Sequence, residues 1–342
     1  MRLWWFRSPG LVAALFMLFT AFPSAAADCW VRDLATPRPG EVWLLCEQGR
    51  IRISRDAGRS WRDQTLQPPD GWRALAAGPD GYAVAAGAAG RIAWTADGGQ
   101  TWNRVDTAAA DADLHAAATA AGRFWVAGDE GFILHSPDGG ATWARQRTFT
   151  TARLEGLFFL DENRGWAVGW AGTILRTTDG GRFWETVAAD DVYGNLTAVW
   201  FEDADTGWAA GAPGLVLRTG DGGRTWTRVA APVTGLVRSI RVSAGAGIMA
   251  GDRLLVRNAE GRWEPVAWLP PEAFTAASLA NGELWAAGPH FLARSRDGGR
   301  SWMPVWRESG LPETGFPGAG RPGEAGERTV SAMGCNNLLV GD

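Results

Sequence analysis

One short pattern ending in tryptophan returns along nearly the whole chain, and its spacing limits what the chain can fold into. The copies read Ser54-Arg-Asp56-Ala-Gly58-Arg-Ser60-Trp61, Thr95-Ala-Asp97-Gly-Gly99-Gln-Thr101-Trp102, Ser136-Pro-Asp138-Gly-Gly140-Ala-Thr142-Trp143, Thr177-Thr-Asp179-Gly-Gly181-Arg-Phe183-Trp184, Thr219-Gly-Asp221-Gly-Gly223-Arg-Thr225-Trp226 and Ser295-Arg-Asp297-Gly-Gly299-Arg-Ser301-Trp302. A shorter copy, Asn258-Ala-Glu260-Gly261-Arg-Trp263, has lost the Asp. Successive closing tryptophans are 41, 41, 41, 42, 37 and 39 residues apart. A period of that length in a strand-rich sequence marks the blade of a β-propeller, so an all-β, seven-bladed propeller is expected.

Turn chemistry accounts for the residue types. The carboxylate accepts hydrogen bonds from backbone N–H groups two residues on, the following Gly takes a positive φ, and a hydroxyl residue opens the turn. The Trp then begins a strand and lays a large apolar surface between neighbouring sheets. Asp56, Asp97, Asp138, Asp179, Asp221 and Asp297, with Trp61, Trp102, Trp143, Trp184, Trp226, Trp263 and Trp302, are therefore read as structural.

The pattern resembles the Asp-box, or BNR, repeat of sialidases, sortilin-type receptors and some glycanases. It is preceded by a longer frame, as in Gly165-Trp166-Ala-Val-Gly169-Trp-Ala-Gly172-Thr-Ile-Leu-Arg176-Thr177 and Gly207-Trp208-Ala-Ala-Gly211-Ala-Pro-Gly214-Leu-Val-Leu-Arg218-Thr219. That frame resembles the photosystem II stability/assembly factor-like family of seven-bladed propellers over nearly all of the chain after the N-terminal segment. The resemblance implies an assembly or stability factor that holds a partner polypeptide of a membrane or envelope complex. Relatives act through an Arg-rich surface, which cannot be matched here residue by residue. Bacteria without photosystems carry members too.

Residues 1–27 read as a secretory signal, with Arg2 and Arg7, an apolar run from Leu11 to Phe22, and Ala25-Ala-Ala27 before Asp28. The run is short of the ~20 residues of a spanning helix. The expectation is cleavage near Ala27 and a periplasmic or secreted monomer without a transmembrane segment. Loss of the two arginines takes the formal charge from −4 to −6, a poor balance for nucleic-acid binding. All 33 basic residues are Arg, a side chain that pairs bidentately with carboxylates and stacks on aromatic rings. Hydrophobic residues at 46% and charged residues at 20% are ample for one large core spanning 28–342. Of the three cysteines, Cys29 pairs with Cys46 if Trp30–Leu34 is the first strand of blade one, or with Cys335 if it belongs to a closing blade.

Each repeat reads as four short strands. Strand two carries Trp43, Trp125, Trp166, Trp208 and Trp285 in one column, with Val84 and Ile248 in the other two copies. The penultimate position of strand three is Arg176, Arg218, Arg257 or Arg294, with His135, Trp94 and Ile53 elsewhere, and is expected to face solvent. His115 and His290 stand alone, without partners at ligand spacing. Gly310–Arg328 reads as a loop. Residues 329–342 read as a segment closing the ring against the N-terminal strands, with an eighth, composite blade as the alternative.

The sequence carries no nucleophile elbow, phosphate loop or metal cluster. A sialidase would use a Tyr nucleophile assisted by a Glu. The only tyrosines, Tyr82 and Tyr193, lie in no matching setting. No catalysis, metal or cofactor is expected, and the competing class is a carbohydrate-active protein, lectin or hydrolase. Loops between strands two and three, and between strand four and the next strand one, converge on one face. They offer Glu47, Gln48, Trp72, Arg73, Asp129, Glu130, Arg153, Glu155, Trp170, Tyr193, Asn195, Arg238 and His290. Trp170, Arg153, Arg238, Tyr193, Glu130 and His290 are the candidate partner contacts, because Trp, Tyr and Arg dominate interface hot spots.

Overall fold

The computed structural model describes residues 29–105, 111–188, 192–266 and 273–307. The expected signal segment, the 310–328 loop, the 329–342 segment and Cys335 lie outside them.

Twenty-eight strands form seven four-stranded antiparallel sheets, each wound from four consecutive strands. Their innermost strands are Val31–Ala35, Trp72–Ala77, Leu114–Ala120, Leu154–Phe159, Asn195–Phe201, Val237–Ser243 and Ala276–Ala280. Each packs on the innermost strand of the next blade, and Val31–Ala35 packs on Ala276–Ala280, so the wheel closes. This is an all-β, seven-bladed β-propeller.

Both faces of each sheet are covered by neighbouring blades, which is why strand two is buried along its length. Its residues in blades one, two, four and five, Val42–Cys46, Ala83–Gly87, Gly165–Gly169 and Gly207–Gly211, are all buried. The Trp column builds the seams. Trp166 stacks on Phe201 of the next blade at 3.5 Å between ring centroids, and Trp125 stacks on Phe159 at 3.7 Å. Each indole N–H also crosses the seam. Trp125 Nε1 donates to the Gly180 carbonyl (3.2 Å) and Trp166 Nε1 to the Gly222 carbonyl (3.1 Å), both in the next blade's Asp-bearing corner.

Those corners close on themselves. In Thr95–Trp102, Thr95 Oγ1 donates to Asp97 (2.7 Å) and accepts from Gly99 N–H (3.0 Å), while Asp97 accepts from the Thr101 N–H (2.9 Å) and hydroxyl (2.6 Å). The carboxylate therefore reaches the backbone four residues on, rather than two as the sequence reading expected. The second glycine has a positive φ and meets the preceding blade. A Cβ on Gly223 (φ +81) would lie 2.5 Å from Trp166 Nε1, and one on Gly99 (φ +77) 2.5 Å from Ile53. Glycine is required here both by backbone and by space.

The strand-three column faces solvent only in part, because it also covers the Trp column: Arg218 is exposed, while Arg176, Arg294 and His135 are half-buried. Arg218 lies over Trp208 at 5.7 Å and Arg294 over Trp285 at 5.3 Å, while His135 stacks on Trp125 at 4.8 Å. Burial pushes the His135 imidazole down to about 4, so it is neutral near pH 7. In blade six the second hairpin pairs in a different register, so Val256, not Arg257, lies opposite Ile248. Arg257 instead reaches Trp208 of the preceding blade at 5.3 Å.

Cys29 and Cys46 form a disulfide, Cα–Cα 5.1 Å, across the first hairpin, where Val31 pairs with Cys46. Both cysteines are buried in a cluster shared with Ala276, Trp285, Ala287 and Leu292 of blade seven.

The corners carry a pH dependence. Donation by the hydroxyl and N–H of the residue four on holds Asp56 and Asp138 at about 2 and Asp97 lower still. In Asp221 the Thr225 N–H contributes most, in Asp297 the Ser301 donors outweigh an opposing burial effect, and both rest at about 2. A carboxylate held below its ordinary value of 3.8 stabilises the fold above that pH, and the contribution is lost as pH falls toward 2. The denaturation midpoint is expected to decline steadily between pH 4 and 2. A flat profile across that window would remove the corners from the stabilising interactions.

Candidate functional site

The face bearing the strand two–three turns and the entries to the innermost strands owes its shape to a repeated bulge. In six blades the innermost strand shifts register after its first paired residue or, in blade five, its second. The bulged positions are Arg32, Arg73, His115, Glu155, Thr197 and Arg238. A bulge bends the strand and re-aims its side chain, here onto the face around the axis.

Four of the candidate contacts come together across blades three to five. Trp170 opens the 3-10 turn Trp170–Gly172 and is 45% exposed. The Arg153 guanidinium lies 5.2 Å from its ring centroid, and its indole N–H donates to Glu155 (3.1 Å). Arg153 pairs with Glu155 (2.7 Å) and reaches Asp129 (3.7 Å), beside exposed Glu130. Tyr193, 85% exposed, precedes Gly194, whose carbonyl accepts from Gly172 N–H (2.7 Å). Arg238 and His290 are not part of this group. Arg238 pairs with Asp252 in blade six (3.4 Å), and the His290 ring meets exposed Trp30 edge-on at 5.0 Å. Trp72 does not reach the face at all; it is buried and donates to the Pro68 carbonyl (2.8 Å).

His115 is not alone, as the sequence reading had it. Its Nε2 meets Asp129 at 3.0 Å and its Nδ1 lies 3.4 Å from Arg153. Burial pushes its imidazole down, against the pull of Asp129. Asp113, His115 and Asp129 bring ligand-type atoms within 4.8 Å of one another. These atoms are already engaged, since Asp113 accepts from Ala89 N–H (3.0 Å) and pairs with Arg73 (2.5 Å). Strand register, which brings residues 14 apart together, was the missing signal. Arg32, Arg73, Arg153 and Arg238 on this face are each paired with a carboxylate, as in Arg32–Glu47 (2.6 Å), so it is a mixed-charge surface.

A separate cavity of ≈ 230 Å³ lies in the central channel, along the C-terminal halves of the innermost strands. None of the candidate contacts lines it.

A mixed-charge face with an exposed, braced indole on a closed wheel of Trp-locked sheets defines a class of seven-bladed propeller with one differentiated end. Two overlapping stretches, residues 74–157 and 146–234, match the family described as photosynthesis system II assembly factor YCF48. The chain is a YCF48-like seven-bladed propeller. A structure titled "YCF48 bound to D1 peptide" is 18% identical, with TM-score 0.57 over 69% of this chain and 80% of that one. YCF48 from Cyanidioschyzon merolae is 20% identical, with TM-score 0.54 over 68% and 84%. A virginiamycin B lyase from Staphylococcus aureus shares the fold at 13% identity, with TM-score 0.68 over 77% and 92%, so the fold alone does not decide on catalysis. No curated protein matches the chain in sequence.

Proposed function

We propose that this chain is an exported, non-catalytic propeller that binds a partner polypeptide, acting as an assembly or stability factor for a membrane or envelope complex. The observation that carries the reading is Trp170, held 45% exposed by Arg153 and Glu155 on the differentiated face. An indole fixed in place loses little conformational freedom on binding, which is what an anchor for a peptide requires. The YCF48 structure with a D1 peptide supports a polypeptide rather than a sugar as the ligand. Export rests on the charge, length and small-residue end of residues 1–27. Among the described residues no helix is long and apolar enough to cross a membrane.

A photo-crosslinker at Tyr193 is expected to trap one stoichiometric polypeptide from envelope membranes, while the same group at Arg300, exposed in the Asp-bearing corner at the opposite end of blade seven, traps none. Trp170→Ala should weaken the complex at least about tenfold with thermal stability unchanged. Turnover of sialyl or glucan substrates, abolished by changing a single face carboxylate, would overturn the reading in favour of a hydrolase. Recovery of the protein in the cytosolic fraction with residues 1–27 attached would overturn export.

A further inference from the structure

Inside the channel, the seven innermost strands contribute one ring of aligned positions: Ala35, Ala76, Ala118 and Ser278 on one side, Phe158, Trp200 and Arg241 on the other. The small side leaves the ≈ 230 Å³ cavity, and the large side furnishes its chemistry. The Arg241 guanidinium lies 4.7 Å from the Trp200 ring centroid and donates one hydrogen bond, to the Ile240 carbonyl (2.8 Å). Stacking on the indole leaves the guanidinium edge, with its fork of N–H donors, for a partner in its own plane. Among the described residues no carboxylate comes within 4.0 Å of it.

Asp33 acts on Arg241 electrostatically but cannot serve as that partner. Its two oxygens accept from the Leu34 and Leu75 N–H groups, both at 2.8 Å, and so belong to the seam between blades one and two. Thr119 Oγ1, also in the cavity wall, is buried with no hydrogen-bond partner. Arg241 is half-buried at the cavity wall, and a guanidinium there whose remaining donors face the cavity is best completed by an anion.

We propose that this cavity binds a small carboxylate, with Arg241 holding the anion and the strand walls flanking the attached body. The volume sets the size. At ~30 Å³ per water it holds about eight waters, below the ~300 Å³ at which drug-sized pockets begin. Only a compact acid or the terminal residue of a chain fits. The site is distinct from the Trp170 face and does not depend on it.

The test is calorimetric titration of the whole protein at pH 7.5 with sodium benzoate, with acetyl-Ala-Ala-Phe bearing a free C-terminal carboxylate, and with the neutral controls benzamide and the amidated peptide. At least one carboxylate should bind one to one, and neither neutral control should. Binding of benzoate alone assigns a free acid, and binding of the free-acid peptide assigns a chain terminus. Arg241→Gln should weaken binding about 10- to 100-fold, and Arg241→Lys by less. Asp33→Asn, which removes the opposing charge, should tighten it even if the Arg241 variants fail to fold. Trp170→Ala should leave the titration unchanged, so a failure here separates from a failure of the partner-binding reading. The absence of binding by either carboxylate, or wild-type affinity in Arg241→Gln, would overturn the proposal.

Discussion

Trp166→Ala is expected to lower the stability of the propeller by about 4 kcal/mol. The side chain is 1% exposed and sits in a seam, stacked on Phe201 at 3.5 Å, with Gly223 of the next corner pressed against its indole nitrogen. The substitution removes that burial and leaves a void that the flanking sheets cannot collapse into, because each is fixed by its own strand pairing. It also removes the indole N–H from the Gly222 carbonyl, which keeps the Arg176 Nε donor at 2.8 Å. Trp166→Phe keeps much of the stack and loses the hydrogen bond, so its cost should be nearer 1–2 kcal/mol. Chemical denaturation of the three proteins measures both. A loss under about 1 kcal/mol for the alanine variant would mean that the seams are not where the fold's stability resides.

Removing the Cys29–Cys46 bridge should cost about 3 kcal/mol, the loop-closure value for a separation of 17 residues. The effect should concentrate at the junction of blades one and seven. There the innermost strands touch through the Thr36–Ser278 hydroxyl pair (2.7 Å) and the Val31 N–H to Pro289 carbonyl bond (3.2 Å), above the cluster holding both cysteines. Reductant should lower the denaturation midpoint of the wild type and leave that of Cys29→Ala/Cys46→Ala unchanged. Hydrogen exchange in Val31–Ala35 should rise more than in Leu154–Phe159. Equal acceleration in both strands would show that the bridge acts on the whole wheel rather than on this junction.

The architecture was legible because the corner repeats. Six nearly identical turns and a tryptophan column report blade number and strand order without reference to long-range contacts. Reading His135 as exposed failed for a physical reason. An arginine column normally marks a wet surface, but here the guanidiniums lie over indoles, where cation–π contact makes Arg and His interchangeable as covers. Arg257 was misplaced because the second hairpin of blade six pairs in a slipped register, which neither composition nor turn length reveals, since blade seven has a turn of the same length and keeps Arg294 opposite Trp285. Trp170 and Arg153, candidate contacts from the strand two–three turn and the entry to the same blade, lie together. Their bracing by Glu155 and Asp129 depends on a bulge that no local motif announces. Arg241 and Asp33 were invisible for a related reason. They come from opposite ends of the chain and meet only around the axis.

Among the described residues each sheet is completed by its own consecutive strands, and no strand is borrowed across a seam. The covalent order of the blades is therefore not what holds the circle shut. A rearranged gene, with its start moved to another inter-blade loop and the old ends linked, should yield the same wheel. Whole modules could likewise be exchanged between such proteins, provided that the tryptophan of one still meets the glycine corner of the next.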